Sequence, residues 1–408
     1  MHIVFPILFF LLSLFFLKKI GDRFNLFSLL LGAYLVRVCF AAFNIIGFRF
    51  PLSDTSDIVR FQAFADEVVN SGFQIDFSSA YVWAGLIGII EYFTGDDTFT
   101  PLLINSLYGT LTVWYAYRIS FILLRERQQS YLVAVIISLV PALIFTSASY
   151  LREASTILFL TMFIYYLIEF GFVTGSKKGS AIMLFASSIM TAMFHGGFVL
   201  LPFLAMIYMA FKMGKVKLTK RTLWGGLFVI LCFVGFVSLM IEFRIGGGKV
   251  HGLYNLSFHT VWTRLLDVIS VGWMASYSQL MVQAPPIFGG IAIFKFLFSP
   301  FFAENFRTYD FVRMPLTFIL FISLVKLFLR AITSTFKIRI TYFYLLAIFL
   351  FHIVLFSIGS NDPDTAYRHY MKFFPVIIAT GIPLGWMRYF RDKKIVMNGT
   401  NFKFKIFP

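Results

Sequence analysis

Cysteine is nearly absent from this chain. Its 408 residues hold two, Cys39 and Cys232. Both stand inside apolar runs, so they read as packing residues and not as a disulfide or a metal pair. Charge is scarce, at 13% of residues, and acid is the scarcer sign, with 19 Asp and Glu against 35 Lys and Arg. Internal repeats and low-complexity tracts are missing. So are HExxH, paired Cys/His spacings and a P-loop, which removes the usual sequence signs of metal and nucleotide chemistry.

What fills the chain instead is apolar. Hydrophobic residues make up 59%, with 55 phenylalanines, and the mean hydropathy is +0.83. Apolar runs of roughly 17–25 residues recur along the whole length, the span of a bilayer core. The pattern predicts an all-α, polytopic membrane bundle forming a single integral domain over 1–408. The start, "MHIVFPILFFLLSLFFLKK", has no basic region before its apolar run and no small-residue cleavage site after it, so it reads as a first membrane helix. The net charge of +16 could suggest nucleic acid, but the basic clusters fall between apolar runs and alternate with acid-containing loops. That is the positive-inside arrangement, with basic loops in the cytoplasm and no nucleic-acid partner.

On this basis about eleven spans are expected, at about 2–17, 26–48, 99–124, 130–148, 155–173, 180–196, 197–212, 223–241, 311–331, 340–359 and 373–387. The N-terminus lies outside and the C-terminus inside. Two shorter apolar pieces, 81–93 and 289–302, read as re-entrant or interfacial helices on the outer side. The outer face then carries a first loop region, 49–98, and a second, 242–310. In the first, Ser56 or Asp57 can cap an amphipathic helix that presents Ile58, Phe61, Phe64, Ala65 and Val68 on one face and lies along the membrane surface.

The outer turns collect the polar groups. Arg152 and Glu153 stand side by side in "SASYLREASTILFL", His195 in "FHGG", and Arg368, His369 and Lys372 in "SNDPDTAYRHYMKFFP"; Asp54, Asp57 and Arg60 belong to the first loop. Each has a plain reading. Arg152 and Glu153 suit a helix start, where the dipole favours an acid. Asp54 and Asp57 suit solvated loop acids or caps, His195 a turn residue, and Arg368, His369 and Lys372 snorkelling headgroup anchors. Arg37 and Arg118, inside spans, read as partners for backbone or an acid. The whole set on one face suits transfer from a lipid-linked phosphate donor. Arginines clamp and stabilise a phosphate leaving group, and a carboxylate or histidine takes the acceptor's proton.

The run from "PLLINSLYGT" to "LREASTILFL", with Asn105, Pro141, Arg152 and Glu153, resembles the central segment of bacterial GT-C-type membrane glycosyltransferases and polysaccharide polymerases. The segment "TAYRHYMKFFPVIIATGIPLGW", with Arg368, His369 and Pro375, is similar to their final outer-face arginine and Pro-containing helix. One extra apolar segment before the acidic loop leaves room for the O-antigen polymerase type. The resemblance implies an inner-membrane enzyme that polymerises O-antigen or exopolysaccharide repeat units from an undecaprenyl-pyrophosphate donor. In that role Asp54 or Asp57 is base or acceptor ligand. Arg152, Arg368, Lys372 and Arg60 hold the phosphate, Glu153 orients Arg152, and His195 and His369 transfer protons or donate hydrogen bonds. The implied partners are lipid-linked donor and acceptor saccharides, the bilayer and a chain-length regulator; no cofactor is fixed, and a divalent metal stays open. A single-sugar transferase and a lipid-linked oligosaccharide flippase are the rival expectations.

Overall fold

A computed structural model describes residues 4–47, 55–71, 81–95, 99–173, 177–213, 310–333, 336–359, 368–369 and 371–381. Among them the regular structure is entirely helical. Asp54, the span expected at 223–241, most of the second loop and the 289–302 piece lie outside the described residues.

Two helices open the chain, α1 (Val4–Asp22) and α2 (Phe27–Ile45). Large apolar side chains of α1 point outward, with Leu12 65% and Phe15 69% exposed. A surface in water does not carry such a stripe cheaply, whereas lipid favours it. By length and composition α1, α2 and α8 (Glu153–Phe172) can each cross a membrane.

The first loop region forms α3 (Thr55–Asn70) and α4 (Tyr81–Thr94). The amphipathic helix starts at Thr55, so Ser56 and Asp57 stand inside its first turn and not ahead of it as caps. Its expected face is the buried one. Phe61, Ala65 and Val68 are buried, and Ile58 and Phe64 pack beside them. That face lies against Trp83, Ala84 and Ile87 of α4 and against Ala148, Tyr150 and Leu151.

The central helix is α5 (Phe99–Leu124). It is buried on all sides, against α2 and α8 among others, and so shows no apolar stripe. Next come α6 (Arg127–Leu139) and α7 (Pro141–Ser147), bent by 62° where one span over 130–148 was expected. Pro141 is the cause. It has no N–H to continue the helix, and it holds Val140 extended. The chain continues through α8, α9 (Lys177–Phe194), a 3-10 turn at Gly196–Phe198, α10 (Leu201–Met213), α11 (Asp310–Thr333) and α12 (Phe336–Gly359). A last helical stretch covers 374–381.

Candidate functional site

Between α7 and α8 the backbone leaves the helix for a few residues, deep inside the bundle. Its carbonyls need donors, because non-helical backbone survives in an apolar setting only when protein satisfies it. Three other helices supply them. Ser106 Oγ on α5 donates to Ser147 O at 3.4 Å, and Asn44 Nδ2 on α2 to Ala148 O at 3.2 Å. Asn105 Nδ2 on α5 donates to both Ser149 O, at 2.6 Å, and Leu151 O, at 3.0 Å. Trp83 Nε1 on α4 donates to Tyr150 O at 2.6 Å. Five consecutive carbonyls are thus held by side chains from elsewhere. The turn cannot relax, and the residues it launches, Arg152 and Glu153, are held at one place.

Glu153 begins α8, where the helix dipole favours a carboxylate. It is also an ion-pair centre. Arg368 Nη2, 215 residues away in sequence, donates to Glu153 Oε1 at 3.0 Å, and Lys372 Nζ lies 3.9 Å from the same oxygen. Arg152 adds a third positive field. The side chains of Glu153 and Lys372 are 3% and 1% exposed, and that of Arg368 is 18% exposed. Arg368 is therefore the more accessible of these two cations, and Lys372 is internal. Arg152 sets its guanidinium over the Phe61 ring of α3, 5.8 Å from the centroid. The carboxylate thus bonds Arg368 directly, with Arg152 close enough to act on its charge.

The histidines complete the cluster. Lys372 Nζ donates to His369 Nδ1 at 3.0 Å. The His369 ring stacks on Phe356 of α12, with centroids 4.4 Å apart, and meets the His195 ring edge-on at 5.4 Å. His195 Nδ1 accepts from the Gly197 N–H at 3.2 Å. Gly197 has to be glycine, because a Cβ there would stand 2.6 Å from Phe356 Cε1. His352 on α12, a lone histidine in an apolar run, stacks against Phe198 at 4.8 Å. It stands outside the site residues expected from the sequence.

Six of the expected site residues thus come together: Arg152, Glu153, His195, Arg368, His369 and Lys372. Arg60 does not join them. It lies on an exposed part of α3 over the Phe64 ring, 5.7 Å from the centroid. Asp57 stands in the first turn of α3. Among the described residues no group of His, Cys, Asp and Glu is placed to hold a metal ion. Chemically, the cluster offers three cations around one carboxylate, with two imidazoles beside them.

At the other end of α8 lies a second polar cluster. Arg118 Nη2 donates to Tyr165 Oη and stands 3.9 Å from Glu169 Oε1. Ser180 Oγ donates to Glu169 Oε2 at 2.7 Å. The guanidinium sits over the rings of Phe24, Trp114 and Tyr165. Arg37 satisfies backbone instead, donating to Ala33 O of its own helix at 2.9 Å. Compared with known proteins, the chain matches no family model, no curated protein and no solved structure.

Proposed function

We propose that this protein is a bacterial inner-membrane enzyme of cell-surface polysaccharide assembly, a repeat-unit polymerase of the O-antigen or exopolysaccharide type. It transfers saccharide from an undecaprenyl-pyrophosphate donor to an acceptor hydroxyl at the periplasmic face. The observation that carries this reading is the meeting of Arg368 and Lys372 with Glu153 beside His195 and His369. Arginine and lysine side chains gathered at one helix start are the groups that clamp a phosphate-bearing ligand. In this reading Arg368 and Arg152 receive the phosphate, and Glu153 and Lys372 hold Arg368 and His369 in place. An acid of the first loop, Asp54 or Asp57, takes the acceptor's proton. The bundle crosses the membrane about eleven times, with the N-terminus periplasmic and the C-terminus cytoplasmic. The Glu153 end then faces the periplasm, and the Glu169 end the cytoplasm.

The test replaces Arg152 and Arg368 by Ala and reads polysaccharide chain length on a gel. Loss of long chains in correctly inserted protein is expected. Normal long chains in both variants sink the assignment. A gene deletion separates the rivals: a polymerase leaves unpolymerised single repeats, a single-sugar transferase leaves a repeat lacking one sugar, and a flippase leaves the lipid-linked unit in the cytoplasmic leaflet.

A further inference from the structure

His369 and Lys372 are joined by a short turn, closed by the Lys372 N–H donating to His369 O at 3.3 Å. The turn brings the ammonium to 3.0 Å from His369 Nδ1. An ammonium has three donors and no lone pair. Glu153 Oε1, 3.9 Å from the same Nζ, favours its charged form. Nδ1 is therefore the acceptor, and a neutral imidazole that accepts at Nδ1 carries its proton at Nε2. Stacking on Phe356, with the planes 11° apart, fixes the ring's orientation. His195 is set in the same way, because its Nδ1 accepts from the Gly197 N–H.

We infer that Lys372 is a positioning residue that fixes His369 as a neutral Nε2–H donor to an anionic group of the phosphate class. His369 is then not a proton acceptor. The inference rests on the reading of this site as one for a phosphorylated ligand. A base must offer a lone pair, and this ring has none left once Lys372 occupies Nδ1. What it retains is a donor, the kind of group that stabilises charge developing on a leaving phosphate. Protonating the ring would set a second positive charge 3.0 Å from the first. Among the described residues, the titratable groups around the ring include Lys372 and Arg368 on its own turn, Glu153 and Arg152 at the head of α8, and His195 after α9. His352 on α12 lies one ring further away, against Phe198 and Phe356. The one acid among these has its Oε1 bonded to Arg368.

The test uses the full-length chain in detergent with 15N-labelled histidine, the six histidines being few enough to assign His369 by loss of its signal in His369→Gln. The expected signal near neutral pH is that of a neutral Nε2–H tautomer. In Lys372→Met the ring gains a proton more readily, and its titration midpoint moves up. Inorganic pyrophosphate and a polyprenyl pyrophosphate are then added separately. A shift at His369 Nε2 with both places recognition in the phosphate itself, and a shift with the second alone places it in the lipid-linked form; either supports the inference. A wild-type Nδ1–H tautomer, or an imidazolium near neutral pH, overturns it even if Lys372→Met does not fold. So does an Nε2 signal that neither probe moves. The gel test of the Arg152 and Arg368 variants is independent of this readout, so the functional reading and the inference can fail separately.

Discussion

Two glutamates on α8 show how differently one helix can carry the same side chain. Glu153 and Glu169 stand sixteen positions apart, about 24 Å along the axis. At the first, the carboxylate is 3% exposed and its cations come from a turn more than two hundred residues later. At the second, the pair with Arg118 is 25% and 23% exposed. There the acid is shared with Tyr165, one helical turn back, and with Ser180 on the next helix. The first glutamate ties distant parts of the chain together. The second joins α5, α8 and α9 through a contact that solvent or headgroups can also satisfy. A buried charge is costly to leave alone, whereas a partly exposed one is not.

The comparison breaks most visibly at Glu153. Glu153→Leu removes the acid that Arg368 and Lys372 share and should cost about 3–5 kcal/mol, read as unfolding of the purified protein in detergent. Combining it with Arg368→Met should restore part of that loss. If the double variant is as unstable as the sum of the singles, the pair is not coupled. The staple beneath it ranks next. Asn105→Leu orphans the carbonyls of Ser149 and Leu151, at about 1–3 kcal/mol for each buried group, and under the proposed function should reduce polysaccharide output by displacing Arg152. Wild-type stability in this variant would show that water reaches the turn.

A smaller effect is expected from the packing that holds His369. Gly197→Ala drives a Cβ into Phe356 and should cost about 1–3 kcal/mol. The companion Phe356→Leu, which relieves the clash, should recover part of it. The smallest effect belongs to the other end. Glu169→Gln keeps an acceptor for one of the Tyr165 and Ser180 hydroxyls, offers the other an N–H donor, and loses a partly screened ion pair, about 1 kcal/mol or less. Raising salt should shrink that difference further. A loss at Glu169 as large as that at Glu153 would abolish the distinction between the two ends.

Much of this was legible from residue order. The bounds expected for α5, 99–124, are those observed, and the buried face of α3 was named residue by residue. Both depend on local periodicity, which a linear string retains. The bend at Pro141 was missed because hydropathy averages over 130–148, while the break depends on one missing N–H. Glu169 and His352 were overlooked although each is a lone ionisable group within an apolar run, which is itself a signal. The sequence puts Glu153 and Arg368 on one face but does not show that they pair directly. The neighbour of Glu153, Arg152, bears on its charge from beside it, while Arg368 arrives from a different turn.

Hydropathy and spacing therefore settle which segments are helical and which ionisable residues sit at their ends, because backbone hydrogen bonding and burial act over a few residues at a time. Which of those ends meet is a property of the packed chain. The turn at 147–151 is rigid because α2, α4 and α5 each bring a donor to it. Glu153 is paired because Arg368, 215 positions further along the chain, meets it. No local rule links those positions, and only the cost of burying an unpaired charge or carbonyl brings them together.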